Sequence, residues 1–94
     1  MTATLHIEHA ITDFPTWRAA FDRFADARRR AGVTAHRVRF LEEDPSQVVI
    51  DLDFDASAPA HAFATFLHEQ VWGTANAPAL VGAPTTRVLV DGTD

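Results

Sequence analysis

Two hydrophobic periodicities alternate along this chain, and their order constrains the fold more than any other feature. From Thr4 to Ile11, Leu5, Ile7, His9 and Ile11 fall on one side while His6, Glu8 and Ala10 fall on the other. A period of two over this length reads as a half-buried strand. Phe14, Trp17, Phe21 and Phe24 then recur at helical spacing, continuing to Arg28 and Ala31, so residues 14–31 read as one amphipathic helix. Asp13 offers its N-cap, Pro15 sits in its first turn, and Gly32 stops it. Alternation returns over residues 33–41, with His36, Val38 and Phe40 against Ala35, Arg37 and Arg39. Residues 42–46 read as a turn around Pro45, and residues 48–54 as the clearest strand. Ser57 is expected to cap a second helix that runs to about Val71 and turns Phe63, Phe66, Leu67 and Val71 inward. The piece from Trp72 to Pro84 holds Gly73, Asn76, Pro78, Gly82 and Pro84 and reads as irregular, before a last strand over residues 85–91.

The resulting order, βαββαβ, predicts a four-stranded antiparallel sheet with both helices on one face, a ferredoxin-like α+β sandwich. The expected strand order is 4-1-3-2, and residues 1–94 are expected to form a single domain. The helix-facing side collects Leu5, Ile7, Val38, Phe40, Val48, Ile50, Leu52, Phe54, Val88 and Val90. The opposite side collects His6, Glu8, Arg37, Arg39, Asp51, Asp53 and Arg87. This polar side has three readings. It is a solvated face laced with cross-strand ion pairs, a surface that meets its own copy in a dimer, or a metal site built from His6, Glu8 and Asp51.

Composition narrows the chemistry. Cysteine and tyrosine are absent, and all eight basic residues are arginine. Disulfides, thiolate ligands, cysteine nucleophiles, Schiff bases and tyrosine acids are therefore unavailable to this chain. The net charge of −5 argues against nucleic acid as a partner; Arg28-Arg29-Arg30 instead suits the negative end of a helix dipole. No apolar run approaches the roughly 20 residues of a membrane span, and the start of the chain does not read as a signal peptide, so a cytoplasmic location is expected. No phosphate loop, dinucleotide fingerprint or haem-attachment motif is present, and Ser46 and Ser57 are accounted for as turn and cap residues.

On the side that should be apolar, three residues break the pattern. His9 and His36 place imidazoles there, opposite Trp17 and Phe21. A histidine so placed is either satisfied by a neighbouring polar group or available as a general base near neutral pH. Arg28 lies in line with Trp17, Phe21 and Phe24; it either snorkels to solvent or serves as a clamp for an anion or enolate. His61 and His68, seven residues apart with Trp72 following, form a stripe on the outside of the second helix that could serve as an interface.

The run His9-Ala-Ile-Thr-Asp13-Phe-Pro-Thr-Trp17, followed by Phe21-Asp22, Arg28 to Val33, Asp44-Pro45 and the closing Ala79 to Pro84, resembles small bacterial proteins of the dimeric α+β barrel type. These are similar to the antibiotic biosynthesis monooxygenase group, many of them uncharacterised. The resemblance implies a homodimer whose two sheets pack face to face, with a pocket between the sheet and helices of each protomer. It also implies a small apolar or aromatic ligand and chemistry of the oxygenase or cyclase kind that needs no cofactor. His9 and His36 are then the expected catalytic residues, and Trp17, Phe21, Arg28, Phe40 and Trp72 the expected substrate contacts. A non-catalytic ligand-binding or regulatory dimer with the same fold is the alternative.

Overall fold

The computed structural model describes residues 2–73 and 79–92. The chain forms β1 (Ala3–Ile11), α1 (Phe14–Arg23), α2 (Ala25–Ala31), β2 (Val33–Leu41), β3 (Asp44–Phe54), α3 (Ser57–Phe66), a π-helical segment (Leu67–Trp72) and β4 (Leu80–Val90). The four strands make one antiparallel sheet in the order β2-β3-β1-β4, the expected arrangement read from its other edge.

The two central strands carry the core because both of their neighbours are strands and one whole face lies under helices. Ala3, Leu5, Ile7, His9 and Ile11 of β1 pair with or lie beside Phe54, Leu52, Ile50 and Val48 of β3 in strict register, and all nine are buried. α3 packs across β1, β3 and β4, while α2 approaches β2. The edge strands are less covered. Val38 and Val88 are half-buried, and Phe40 and Val90 are exposed, although sequence pattern puts all four on the covered face. Two short helical layers cannot roof four strands, so the edges are left open.

Four boundaries differ from the sequence reading. The helix expected over residues 14–31 is broken at Phe24, whose backbone (φ −98°, ψ 14°) leaves the helical region and whose N–H turns back to the Phe21 carbonyl at 3.2 Å. The second helix is capped from Ala56, with no side-chain cap, and not from Ser57; its last turn passes into π geometry at Leu67. β3 begins at Asp44, so the turn shrinks to Glu42 and Glu43. β4 begins at Leu80, inside the stretch read as irregular; the remainder of that reading, over residues 74–78, lies outside the described residues. The caps of the first helix stand as expected. The Asp13 carboxylate accepts the Thr16 N–H at 2.8 Å, and Gly32 ends α2 in the left-handed region at φ 98°.

Among the described residues, no helix is long and apolar enough to cross a membrane.

Candidate functional site

A cavity lies between the sheet and the helices, walled by Ile7, His9, Ile50 and Leu52 from the sheet, Trp17, Phe21, Phe24 and Arg28 from α1 and α2, and Phe63, Leu67, Val71 and Trp72 from the second helical layer. It admits the centre of a water-sized sphere over about 70 Å³, room for a few water molecules or one small ring.

His9 is set into this cavity by an irregularity in the sheet. Glu8 pairs with Thr85 and Ala10 with Val81, so β4 spends Gly82, Ala83 and Pro84 where β1 spends His9 alone. Pro84 has no N–H to give the ladder and Gly82 takes a positive φ of 72°, a bulge that an edge strand tolerates. The imidazole is 6 % exposed. Its Nδ1 lies 3.3 Å from the Ala10 carbonyl oxygen; because a carbonyl only accepts, Nδ1 carries the proton and Nε2 is left with its lone pair. Burial pushes the His9 pKa below its ordinary value, outweighing the opposing effect of that carbonyl, so the ring is neutral at pH 7.

Two indoles flank His9, Trp17 at 6.2 Å and Trp72 at 6.4 Å between ring centres. Trp17 stacks on Phe21 at 4.9 Å. The Arg28 guanidinium carbon lies 3.7 Å from the Phe21 ring centre, and its Nη1 donates to the Phe21 carbonyl oxygen at 2.5 Å. Arg28 is 7 % exposed, which overturns the snorkelling alternative. Burial moves its pKa down, yet a guanidinium stays charged. One side of the cavity is therefore a continuous wall running from a cation through two stacked aromatic rings to a neutral imidazole.

The structure thus brings together His9, Trp17, Phe21, Arg28 and Trp72 in one cavity wall. His36 and Phe40 lie outside it. His36 is on the expected face, opposite Leu52, but β2 is an edge strand and the ring is exposed, with its edge against Phe21 at 5.6 Å. Phe40 is 45 % exposed and packs on Phe14 at 5.2 Å. Trp72 departs from the outward stripe of His61 and His68: those two are exposed, whereas Trp72 is half-buried, edge-on to His68 at 4.8 Å and part of the cavity wall. The π segment has no proline or glycine to announce it within residues 67–72, and it turns Val71 and Trp72 together toward the sheet. Leu80 also reaches the wall; the prolines and glycines around it concealed its strand.

On the other side of the sheet, His6 donates through Nδ1 to Asp51 at 2.6 Å and through Nε2 to Glu8 at 2.9 Å when protonated, and Arg39 reaches the second Asp51 oxygen at 2.9 Å. The Asp51 contact, then the Glu8 contact, raise the His6 pKa above its ordinary value against a smaller effect of burial. The two carboxylates hold opposite edges of the imidazole, so they do not converge on a point where an ion could sit. Among the described residues no three such side chains form a metal-binding group.

No family model matches this chain, and no curated protein matches it. Solved structures do. A protein of Bordetella bronchiseptica described as a candidate antibiotic biosynthesis monooxygenase superposes with a TM-score of 0.74 at 11% identity, covering 98% of each chain. SnoaB, a cofactor-independent oxygenase from Streptomyces nogalater, superposes with a TM-score of 0.68 at 17% identity, covering 99% of this chain and 95% of that one. A dimeric ferredoxin-like protein from an uncultured marine organism superposes with a TM-score of 0.60 at 9% identity, covering 98% of each. At these identities the likeness is one of fold, and it spans both chains almost end to end. The chain has the ferredoxin-like α+β fold of small proteins of the antibiotic biosynthesis monooxygenase type.

Proposed function

We propose that this chain is a small-molecule enzyme of the cofactor-independent monooxygenase or cyclase type, with His9 as its general base. The observation that carries this reading is the state of His9: buried, neutral, anchored through Nδ1 and set in a cavity whose lining is apolar and aromatic apart from Arg28. Such an imidazole is poised to take a proton through Nε2 from a phenolic O–H or an acidified C–H. The anion so formed is itself electron-rich enough to react with dioxygen, or to attack a carbonyl of the same molecule in a cyclisation. The stacked Trp17–Phe21 pair lines the cavity as aromatic surface for an aromatic or polyketide-like substrate, and the Trp72 indole lies on another side of His9. The fold shared with a cofactor-independent oxygenase supports the same reading. His36, exposed and outside the cavity wall, has no part in this scheme.

The protein acts as a homodimer in this proposal, formed by the open face of the sheet. That face is charge-balanced and rimmed by apolar residues. Arg37, Arg39 and Arg87 stand among Glu8, Asp51 and Asp53, while Leu89 (46 % exposed) and Val81 (48 % exposed) lie toward the edge. A second copy offers the same set in reverse order, which is what a two-fold interface requires.

The deciding experiment is oxygen uptake and product analysis over a panel of single-ring acidic phenols, with wild type and His9→Ala compared. Removing a general base is expected to lower turnover by about 10²-fold or more while the circular dichroism spectrum is retained. Turnover that survives in a folded His9→Ala variant refutes the base assignment. The alternative, a non-catalytic ligand-binding or regulatory dimer, draws support from the small volume of the cavity, about 70 Å³. It predicts ligand binding with no turnover by either protein.

A further inference from the structure

Arg28 poses a question that base catalysis at His9 does not answer. It is the one buried arginine among the described residues. A buried cation is costly unless an anion or several acceptors compensate it. The carboxylates nearest in sequence are already engaged: Asp22 pairs with Arg18 at 3.1 Å, and Asp26 pairs with Arg29. Arg28 itself has a carbonyl oxygen and the face of Phe21 as partners; the Asp22 carboxylate acts on it at longer range, opposing the larger effect of burial, and no carboxylate among the described residues forms an ion pair with it. A guanidinium carries five N–H donors. No buried side-chain nitrogen among the described residues is sealed off without a partner, so its remaining N–H groups keep accessible surface, and Arg28 is part of the cavity wall.

We infer that the cavity is built for a ligand that arrives as an anion: an aromatic carboxylate or its equivalent, seated with the negative group on Arg28 and the ring along Phe21 and Trp17. This deepens the proposed function by naming the ligand's charge, and it rests on that reading only in taking the cavity as the ligand site. The geometry suits the task. Cation–π contact with Phe21 and the bond to its carbonyl hold the guanidinium in one plane, and a planar fork of donors matches a carboxylate better than any neutral group. The ring that follows meets the Phe21–Trp17 stack, which ends at His9. The ligand's fixed charge therefore sets which of its atoms can approach Nε2.

The chain supplies its own probe. It has two tryptophans and no tyrosine, and both tryptophans line this cavity, so intrinsic fluorescence reports occupancy directly. Benzoate and benzamide, nearly equal in shape and differing in charge, are titrated into wild type, Arg28→Lys, Arg28→Met and His9→Ala at pH 7. Benzoate is expected to bind wild type about tenfold more tightly than benzamide. The preference is expected to shrink in Arg28→Lys, which keeps the charge and loses the planar fork, and to vanish in Arg28→Met. A purely structural Arg28, pinning the break between α1 and α2, gives no preference for the charged ligand. Equal binding of the two ligands by wild type, absence of benzoate binding, or a preference that persists in a folded Arg28→Met variant overturns the inference. Should Arg28→Met fail to fold, the wild-type ratio and the Arg28→Lys ratio decide it. His9→Ala is expected to keep the preference, so failure of the anion site and failure of the base are read separately.

Discussion

The guanidinium of Arg28 is held twice by one residue: its carbon stands 3.7 Å over the Phe21 ring while Nη1 donates to the Phe21 carbonyl oxygen. That carbonyl is available because α1 ends just after it. The helix break at Phe24 leaves the Phe21 oxygen to accept from the Phe24 N–H and from Arg28 rather than from a continuing helix. Break, ring and cation form one unit, and Phe21 passes it on to Trp17 by stacking. Phe21→Leu keeps apolar volume and removes the π face. It is expected to destabilise the fold by roughly 1–3 kcal/mol, the combined worth of a desolvated cation–π contact and an aromatic stack. The check is a lower urea midpoint with an unchanged slope; an unchanged midpoint means that the contact contributes nothing net.

The two perturbed histidines make opposite contributions to pH dependence. His6 has its pKa raised in the folded state by Asp51 and Glu8, so its stabilisation is fully present below about pH 6.5 and is lost as pH rises through the folded-state value. His9 has its pKa lowered by burial, so stability falls as pH drops from about 6.5 toward its folded-state value. His6→Gln is expected to flatten the alkaline limb of stability against pH, and His9→Gln the acid limb. Proton NMR of the ring protons, assigned with the same two variants, should find the His6 midpoint above 6.5 and the His9 midpoint below it. Reversed midpoints refute both environments. In a catalytic His9 the same shift places the acid limb of the ligand-free enzyme's pH–rate profile below 6.5, so the base is fully competent at neutral pH.

The sheet and its polarity were legible because β1 and β3 are central strands. A strand flanked on both sides and covered on one face must alternate, and Leu5, Ile7, His9 and Ile11 do. The same rule failed at the edges, where Phe40 and Val90 keep the pattern without the cover. His9 and Arg28 stood out as polar residues in apolar stripes, and that signal led to the cavity wall. For His36 the same signal led only to the correct face, because pattern tells which side a residue faces and not how far the roof extends. The break at Phe24 and the π segment at Leu67–Trp72 carry no proline or glycine within them, so tertiary packing decides them. Helical spacing alone therefore puts Trp72 on an outward stripe, although it is also among the expected substrate contacts and lines the cavity.

Gly32 joins the broken helix to β2 with φ at 98°, and a Cβ built there meets nothing within 4 Å. Any cost of substitution is thus backbone strain alone. Gly32→Ala is expected to lose about 1–2 kcal/mol, the difference between glycine and an L-residue in the left-handed region, whereas an exposed Ala25→Gly in the first turn of α2 should cost less than 1 kcal/mol. Thermal unfolding of the two variants side by side tests this. A smaller loss at Gly32 than at Ala25 contradicts the assigned backbone geometry.

Association through the open sheet face is the prediction with the widest consequence. Leu89 stands on that face opposite Thr4, whose hydroxyl donates to Asp53 at 2.7 Å. Leu89→Glu places a carboxylate across Thr4 from Asp53 on the same face and removes an exposed apolar contact (46 % exposed). Within one protomer it alters a solvent-facing position at the edge of the sheet and is expected to change stability by less than about 0.5 kcal/mol. Across a two-fold interface it adds one carboxylate per copy to a face where Glu8, Asp51 and Asp53 are balanced by Arg37, Arg39 and Arg87, and it is expected to weaken association at least about tenfold, since unmatched like charge at an interface costs over 1 kcal/mol. Light scattering at micromolar concentration should give a dimer for wild type and a monomer for Leu89→Glu, while Phe40→Glu, on the helix side of β2, leaves the dimer intact. A monomeric wild type refutes the interface. A dimer unaffected by Leu89→Glu moves the interface off this face and returns the exposed stripe of His61 and His68 on the second helix as the surface to test.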